Sequence, residues 1–207
     1  MNILEKYDRQ FAYTGALMNL SLAIQAFVLW TNPSIDDATK IYSIAVLVGF
    51  EFFMVHSGVF MASFPRKISL FIFFPLYGAF ALVINQMVDG NFVLYLYLVV
   101  VFQRMRLAFS DVNQALKEKA ILYSGYAAIL WIFLVMIVLF NHNHIPLFGL
   151  TESYLKMSGY RDLHSIGDFT KNPHTATAFA VLYYLFLALT EFNLTRSLIK
   201  NPKRFRL

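Results

Sequence analysis

Long stretches without a single Asp, Glu, Lys or Arg divide the chain. None occurs from Gln10 to Ile35, Ile68 to Val88, Gly90 to Gln103, Ala120 to Thr151 or Asn172 to Thr190, and between Lys40 and Arg66 the only charge is Glu51. A helix crosses about 30 Å of hydrocarbon with roughly 20 apolar residues, each rising about 1.5 Å. Six windows meet or approach that length: 11–30, 41–62, 68–88, 92–109, 120–140 and 175–196. Barrel strands would alternate apolar and polar positions, and the run Ile129 to Val138 does not alternate. The pattern predicts an all-α, polytopic membrane helical bundle: six transmembrane helices forming one integral membrane domain over 1–207.

The connections fit that reading. Ser63-Phe64-Pro65-Arg66-Lys67 is a tight turn, and Asp89-Gly90-Asn91 joins the third and fourth spans as an antiparallel hairpin. Asn32 to Asp37 ends the first span, and Ser110 to Lys119 is expected to continue the fourth helix. Met1 to Gln10 is polar and the apolar run after it is long enough to span, so no cleaved signal is expected. No internal repeat is visible, which gives no support to an inverted-repeat transporter.

Composition narrows the class further. Of 207 residues, 58% are hydrophobic and 14% charged, with a mean hydropathy of +0.57; a soluble domain carries about a quarter charged residues. That balance excludes a disordered chain, a nucleic-acid-binding module and an ordinary cytosolic enzyme. The absence of cysteine excludes disulfide exchange and thiolate metal sites. With six spans, thirteen of the seventeen basic residues fall on the side that holds both termini. Basic flanks stay inside, so both termini are expected in the cytoplasm, with a bacterial inner membrane the simplest location. The basic tail Lys200 to Arg206 then suits anionic lipid head groups or a protein partner, and the pI of about 9.4 requires no nucleic acid.

Ionisable residues inside spans are costly and call for partners or a cavity. Counting about 1.5 Å per residue from the outer end of each span places Glu51 near the bilayer middle, at about 14 Å. His56, Arg104, Arg106 and Glu191 fall at about 20–24 Å, and Tyr13, Thr14, Tyr123, Ser124 and Tyr126 reach the same level. Two accounts of this polar layer stay open. The arginines snorkel to head groups, with Glu191 pairing to one of them, or the residues line a water-filled cytoplasmic vestibule. Glu51 cannot snorkel far, and a carboxylate held between the cost of burial and the pull of an arginine can carry protons. Glu51 and His56 are five residues apart, about 140° around a helix, so they do not share a face; Glu191 and Thr195 do. Small-xxx-small pairs such as Ser124/Ala128 and Ala176/Ala180 permit close helix approach.

Between the fifth and sixth spans lies a long extracytoplasmic loop, from Asn141 to Thr175, with four of the five histidines. Thr151 to Met157 predicts a short helix capped by Thr151 and stopped by Gly159. Its neighbours Phe148, Leu150, Tyr154 and Leu155 suit the head-group region. A divalent metal would use His142, His144, His164 and Asp168, although their spacing fits no specific motif; a polar lid over the bundle mouth is the simpler expectation. No resident cofactor is otherwise expected.

Several chemistries lack their residues. No span contains a lysine for a retinal Schiff base, and His56 alone gives no haem-ligand pair. There is no potassium-filter sequence, no paired Asn-Pro-Ala, no Gly-x-Ser-x-Gly, no nucleotide-binding loop and no Glu-x-x-His di-iron pattern. Three function classes remain. The first is a small channel or ion-coupled transporter using Glu51, His56, Arg104, Arg106 and Glu191. The second is a non-catalytic membrane subunit or effector acting through a membrane partner or a second copy. The third is an intramembrane enzyme.

Overall fold

The computed structural model describes residues 6–87, 91, 94–95, 97–99, 114–163 and 167–200. All regular structure among them is helical. The helices are α1 (Asp8–Thr31), α2 (Ala38–Ser63), α3 (Arg66–Ile68, a π-helical turn Ser69–Phe73 and Phe74–Asn85), α4 (Gln114–Phe140), α5 (Glu152–Met157), α6 (Asp168–Lys171) and α7 (Pro173–Lys200). Four segments are long and apolar enough to cross a membrane: Asp8–Thr31, Ile35–His56, Leu116–Phe140 and Pro173–Arg196. They correspond to the first, second, fifth and sixth expected spans. The third appears as the shorter apolar helix Ser69–Asn85, and most of the fourth lies outside the described residues.

The local stops follow the sequence. After α2, Pro65 breaks the helix and α3 starts at Arg66. After α1, Asp37 accepts from the Ser34 backbone N–H at 2.9 Å and from its hydroxyl at 2.8 Å, closing the turn into α2. Pro75 lacks an N–H, and its ring crowds the preceding helical turn. The π-helical turn lies immediately before it, with the Phe74 N–H reaching back to the Ser69 carbonyl. After α3, Asn85 accepts from Leu94 N–H at 3.3 Å, while the Tyr97 hydroxyl donates to the Phe74 carbonyl at 2.6 Å. From Gln114 the described helix runs without a break into the fifth expected span, because Gln114 to Lys119 has no breaker to separate it from the apolar run that follows; Ser110 to Asn113 lie outside the described residues.

Packing is inverted relative to a soluble protein. The buried face of α1 is Ala12, Gly15, Ala16, Asn19, Ala23 and Ala26, a stripe of small side chains at helical spacing. Its large residues face outward, with Leu17 67% and Ile24 55% exposed. Along α4, Ile129 is 71% and Phe140 77% exposed. Such continuous apolar surface is unstable in water and ordinary in lipid. Small residues let helix backbones approach closely where lipid removes the hydrophobic driving force, and α1 accordingly packs most extensively against α7. The larger core residues Phe50, Met54, Phe179, Tyr183 and Leu187 fill the space among α2, α4 and α7.

The described residues between α4 and α7 fold into a cap. Thr151 caps α5, accepting from Tyr154 N–H at 3.3 Å, and Gly159 ends that turn in the left-handed region at φ 73°, both as expected. Tyr154, Leu150, Leu155 and Tyr160 do not face head groups; they are buried against Ala38, Ile41, Tyr42 and Val46 at the start of α2. Spacing along α5 showed an apolar side but not that α2 would cover it. The Tyr154 hydroxyl donates to the Ser34 carbonyl at 2.8 Å, and Tyr160 donates to the Thr170 carbonyl at 2.9 Å.

Candidate functional site

Glu51 sits midway along α2 and is 4% exposed, the one buried carboxylate among the described residues. Five residues separate it from His56, and the helix turns the two apart as expected. The Tyr183 hydroxyl, from α7, donates to Glu51 Oε1 at 3.3 Å. That distance is long for an O–H···O bond, whose usual value is about 2.7–2.8 Å. The surroundings are aromatic. Tyr183 stacks on Phe179 at 5.4 Å, Phe179 meets Trp131 edge-on at 5.8 Å, and Trp131 lies 4.8 Å from Phe52. Trp131 Nε1–H donates to the Val48 carbonyl at 3.2 Å, joining α4 to α2 next to Glu51.

His56 is half-buried and turns back on its own helix. Its ring packs on Phe52 at 4.4 Å, and Nδ1 lies 2.6 Å from the Phe52 carbonyl. A carbonyl only accepts, so Nδ1 is the donor in this contact.

Glu191 belongs to a second station, two helical turns beyond Tyr183 on α7. Tyr123 from α4 donates to Glu191 Oε2 at 3.3 Å, and Asn19 from α1 donates to the Tyr123 hydroxyl at 3.4 Å. Thr195 shares the face of Glu191 and donates to its carbonyl at 2.8 Å. Asn19 and Thr195 are buried. At the same end, Lys119 meets Asp8 at 2.7 Å and ties α4 to α1.

Among the expected residues, Glu51 and Glu191 each meet a tyrosine donor from a neighbouring helix, and α7 takes part in both contacts. Arg104 and Arg106 lie outside the described residues. Tyr123 stood in the sequence-derived layer; Tyr183 and Asn19 did not, because each lies more than a hundred residues from its partner. A lone amide within the small-residue stripe of α1 was the available signal for Asn19.

At the cap, His142, His144 and Asp168 are exposed, and His164 lies outside the described residues. His142 Nδ1 contacts the Leu139 carbonyl at 3.1 Å. Among the described residues no group of three or more His, Asp or Glu stands close enough to hold a metal ion. Arg161 instead organises the cap, donating to both Glu152 carboxylate oxygens at 3.2 and 2.6 Å and to the Lys171 carbonyl at 2.8 Å. This guanidinium holds the Glu152 carboxyl below its ordinary value of 4.5, and burial raises the Tyr160 hydroxyl. No protein-family model, curated protein or solved structure matches the chain.

Proposed function

We propose that the protein is a small multi-pass membrane channel or ion-coupled transporter in which protons pass through the two carboxyl–tyrosine stations. The observation that carries this reading is Glu51, a carboxyl buried at the middle of an apolar helix and reached by the Tyr183 hydroxyl of α7. A carboxyl is expensive at that depth, and carboxyls within spans mark proton and ion paths. A tyrosine hydroxyl both donates and accepts, so Tyr183 is suited to deliver a proton to Glu51 and take one from elsewhere. Glu191, Tyr123 and Asn19 form the second station about 12 Å further along α7, by helix rise over eight residues.

In this reading the chain has six spans with both termini in the cytoplasm of a bacterial inner membrane, following the bias of its basic residues. The cap then lies outside, and the Glu191 station opens toward the cytoplasm, where Arg104 and Arg106 attract anions or pair with carboxylates. The basic tail holds anionic lipid. The test is proton flux into proteoliposomes under a pH gradient, wild type beside Glu51→Gln. The reading expects flux in the wild type and its loss in the variant; equal flux in both removes Glu51 from the path.

A second reading, a non-catalytic membrane subunit, draws on the same contact. Tyr183–Glu51 joins α2 to α7 inside a packed aromatic cluster, as a purely structural brace also does. In that case neither protein conducts, and Glu51→Gln lowers stability instead of flux.

A further inference from the structure

The turn that opens the cap combines three features that water does not favour. Phe148 has φ 46°, the only positive φ among described residues other than glycine, in a region that costs an aromatic residue energy. Phe148 is 53% and the preceding Leu147 45% exposed. Gly149 has no room for a side chain: a Cβ there would lie 2.2 Å from Pro33 Cδ.

The polar groups of the turn face the other way. Gly149 N–H donates to the Trp30 carbonyl at 3.0 Å, Leu150 N–H to the Leu147 carbonyl at 2.9 Å, and Trp30 Nε1–H to the Pro146 carbonyl at 2.9 Å. Phe148 meets the Trp30 ring edge-on at 4.9 Å. The turn is thus sealed inward by hydrogen bonds and presents two apolar side chains outward beside a tryptophan. The apolar surface does not stop there. Phe27 and Val28, one turn back on α1, are each 50% exposed, and Phe140 at the end of α4 is exposed as well.

We infer that the turn 146–149 is an interfacial anchor: Leu147 and Phe148 enter the head-group boundary of the bilayer at the cap end, beside Trp30. The occupant is lipid because this surface continues the outward apolar faces of α1 and α4, which the membrane already covers. Amphipathic aromatic rings settle at that level. The strained φ of Phe148 fits this placement, since the same backbone conformation that costs energy turns the ring out of the cap. The anchor makes the cap ride on the membrane surface, so its seating on α2 depends on the lipid around it. The inference rests on the membrane assignment and is independent of whether the protein conducts.

The test uses the full chain in phosphatidylcholine vesicles. Trp30 and Trp131 are the only tryptophans, so Phe148→Trp with Trp30→Phe and Trp131→Phe leaves one indole at the turn. Lipids brominated near the head group should quench it at least about twofold more than lipids brominated near the chain ends, with little quenching by aqueous iodide. Leu147→Trp in the same background repeats the reading if the first variant does not fold. Quenching by iodide alone places the turn in water, and quenching by neither places it against protein, a second copy included. Either result overturns the inference.

Discussion

Two carboxylates in this chain meet their partners in opposite settings. Glu152, on the cap, is exposed and held by two guanidinium hydrogen bonds from Arg161, the shorter at 2.6 Å. Glu51, in the bundle, is 4% exposed, and its assigned donor is a neutral tyrosine hydroxyl at 3.3 Å. A single exposed ion pair contributes little to stability beside the burial of several large apolar side chains. The cap is held instead by Leu150, Tyr154, Leu155 and Tyr160 packed on α2. A cation thus holds the carboxylate at the surface, while the carboxyl in the bundle lies where ionisation would be most costly. A packing role explains the first site without remainder. At the second site a structural brace and proton movement make different predictions, and proton movement is the role proposed for Glu51.

The contrast breaks most readily at Glu51. Glu51→Gln keeps the shape and the acceptor oxygen for Tyr183 but cannot exchange a proton. Proton flux should fall at least about tenfold while thermal unfolding in detergent hardly changes; a variant that conducts normally but melts early makes Glu51 a brace. A smaller but still large effect is expected at the cap. Gly149→Ala forces a methyl into the Pro33 ring and should cost about 1–3 kcal/mol by overpacking, seen as faster proteolysis between α4 and α7. Thr151→Ala removes the N-cap of α5 and should loosen the cap by about 1 kcal/mol, measurable as faster amide exchange at Tyr154.

The smallest effect sharpens the comparison from the other side. Glu152 has its pKa lowered from 4.5, chiefly by the hydrogen bond from Arg161. A depressed folded-state pKa means that the contribution is complete above the unfolded value. It is lost as the pH falls through the lower folded value. Acidification below 4.5 should therefore loosen the cap slightly, read by proteolysis, and Arg161→Gln should abolish that acid dependence while leaving the cap seated.

Windows poor in charge made the four long helices legible, because lipid disfavours formal charge over a length that the helix rise fixes. The short cap helix was legible for a local reason: Thr151 and Gly159 act within their own turns. What spacing could not show was which surfaces meet. Leu150, Tyr154 and Leu155 read as interfacial because nothing nearby in sequence covers them, and the start of α2 that does is over a hundred residues away. The same distance hid Tyr183 from Glu51. Pro75 carried the clue to the π-helical turn, yet it sits within a window that is otherwise one apolar span. The small-residue packing face of α1 was not read from spacing, because it inverts the amphipathic rule of soluble helices in which the large apolar side chains turn inward.

The central claim is that the carboxyl of Glu51 changes protonation during function. Difference infrared spectroscopy of the protein in bilayers, stepped across the pH range that drives flux, observes that event directly. A carboxylic-acid band should rise and fall with pH in the wild type, shift in Tyr183→Phe and vanish in Glu51→Gln. A spectrum in which no carboxyl band belongs to Glu51, while flux continues, would contradict the account.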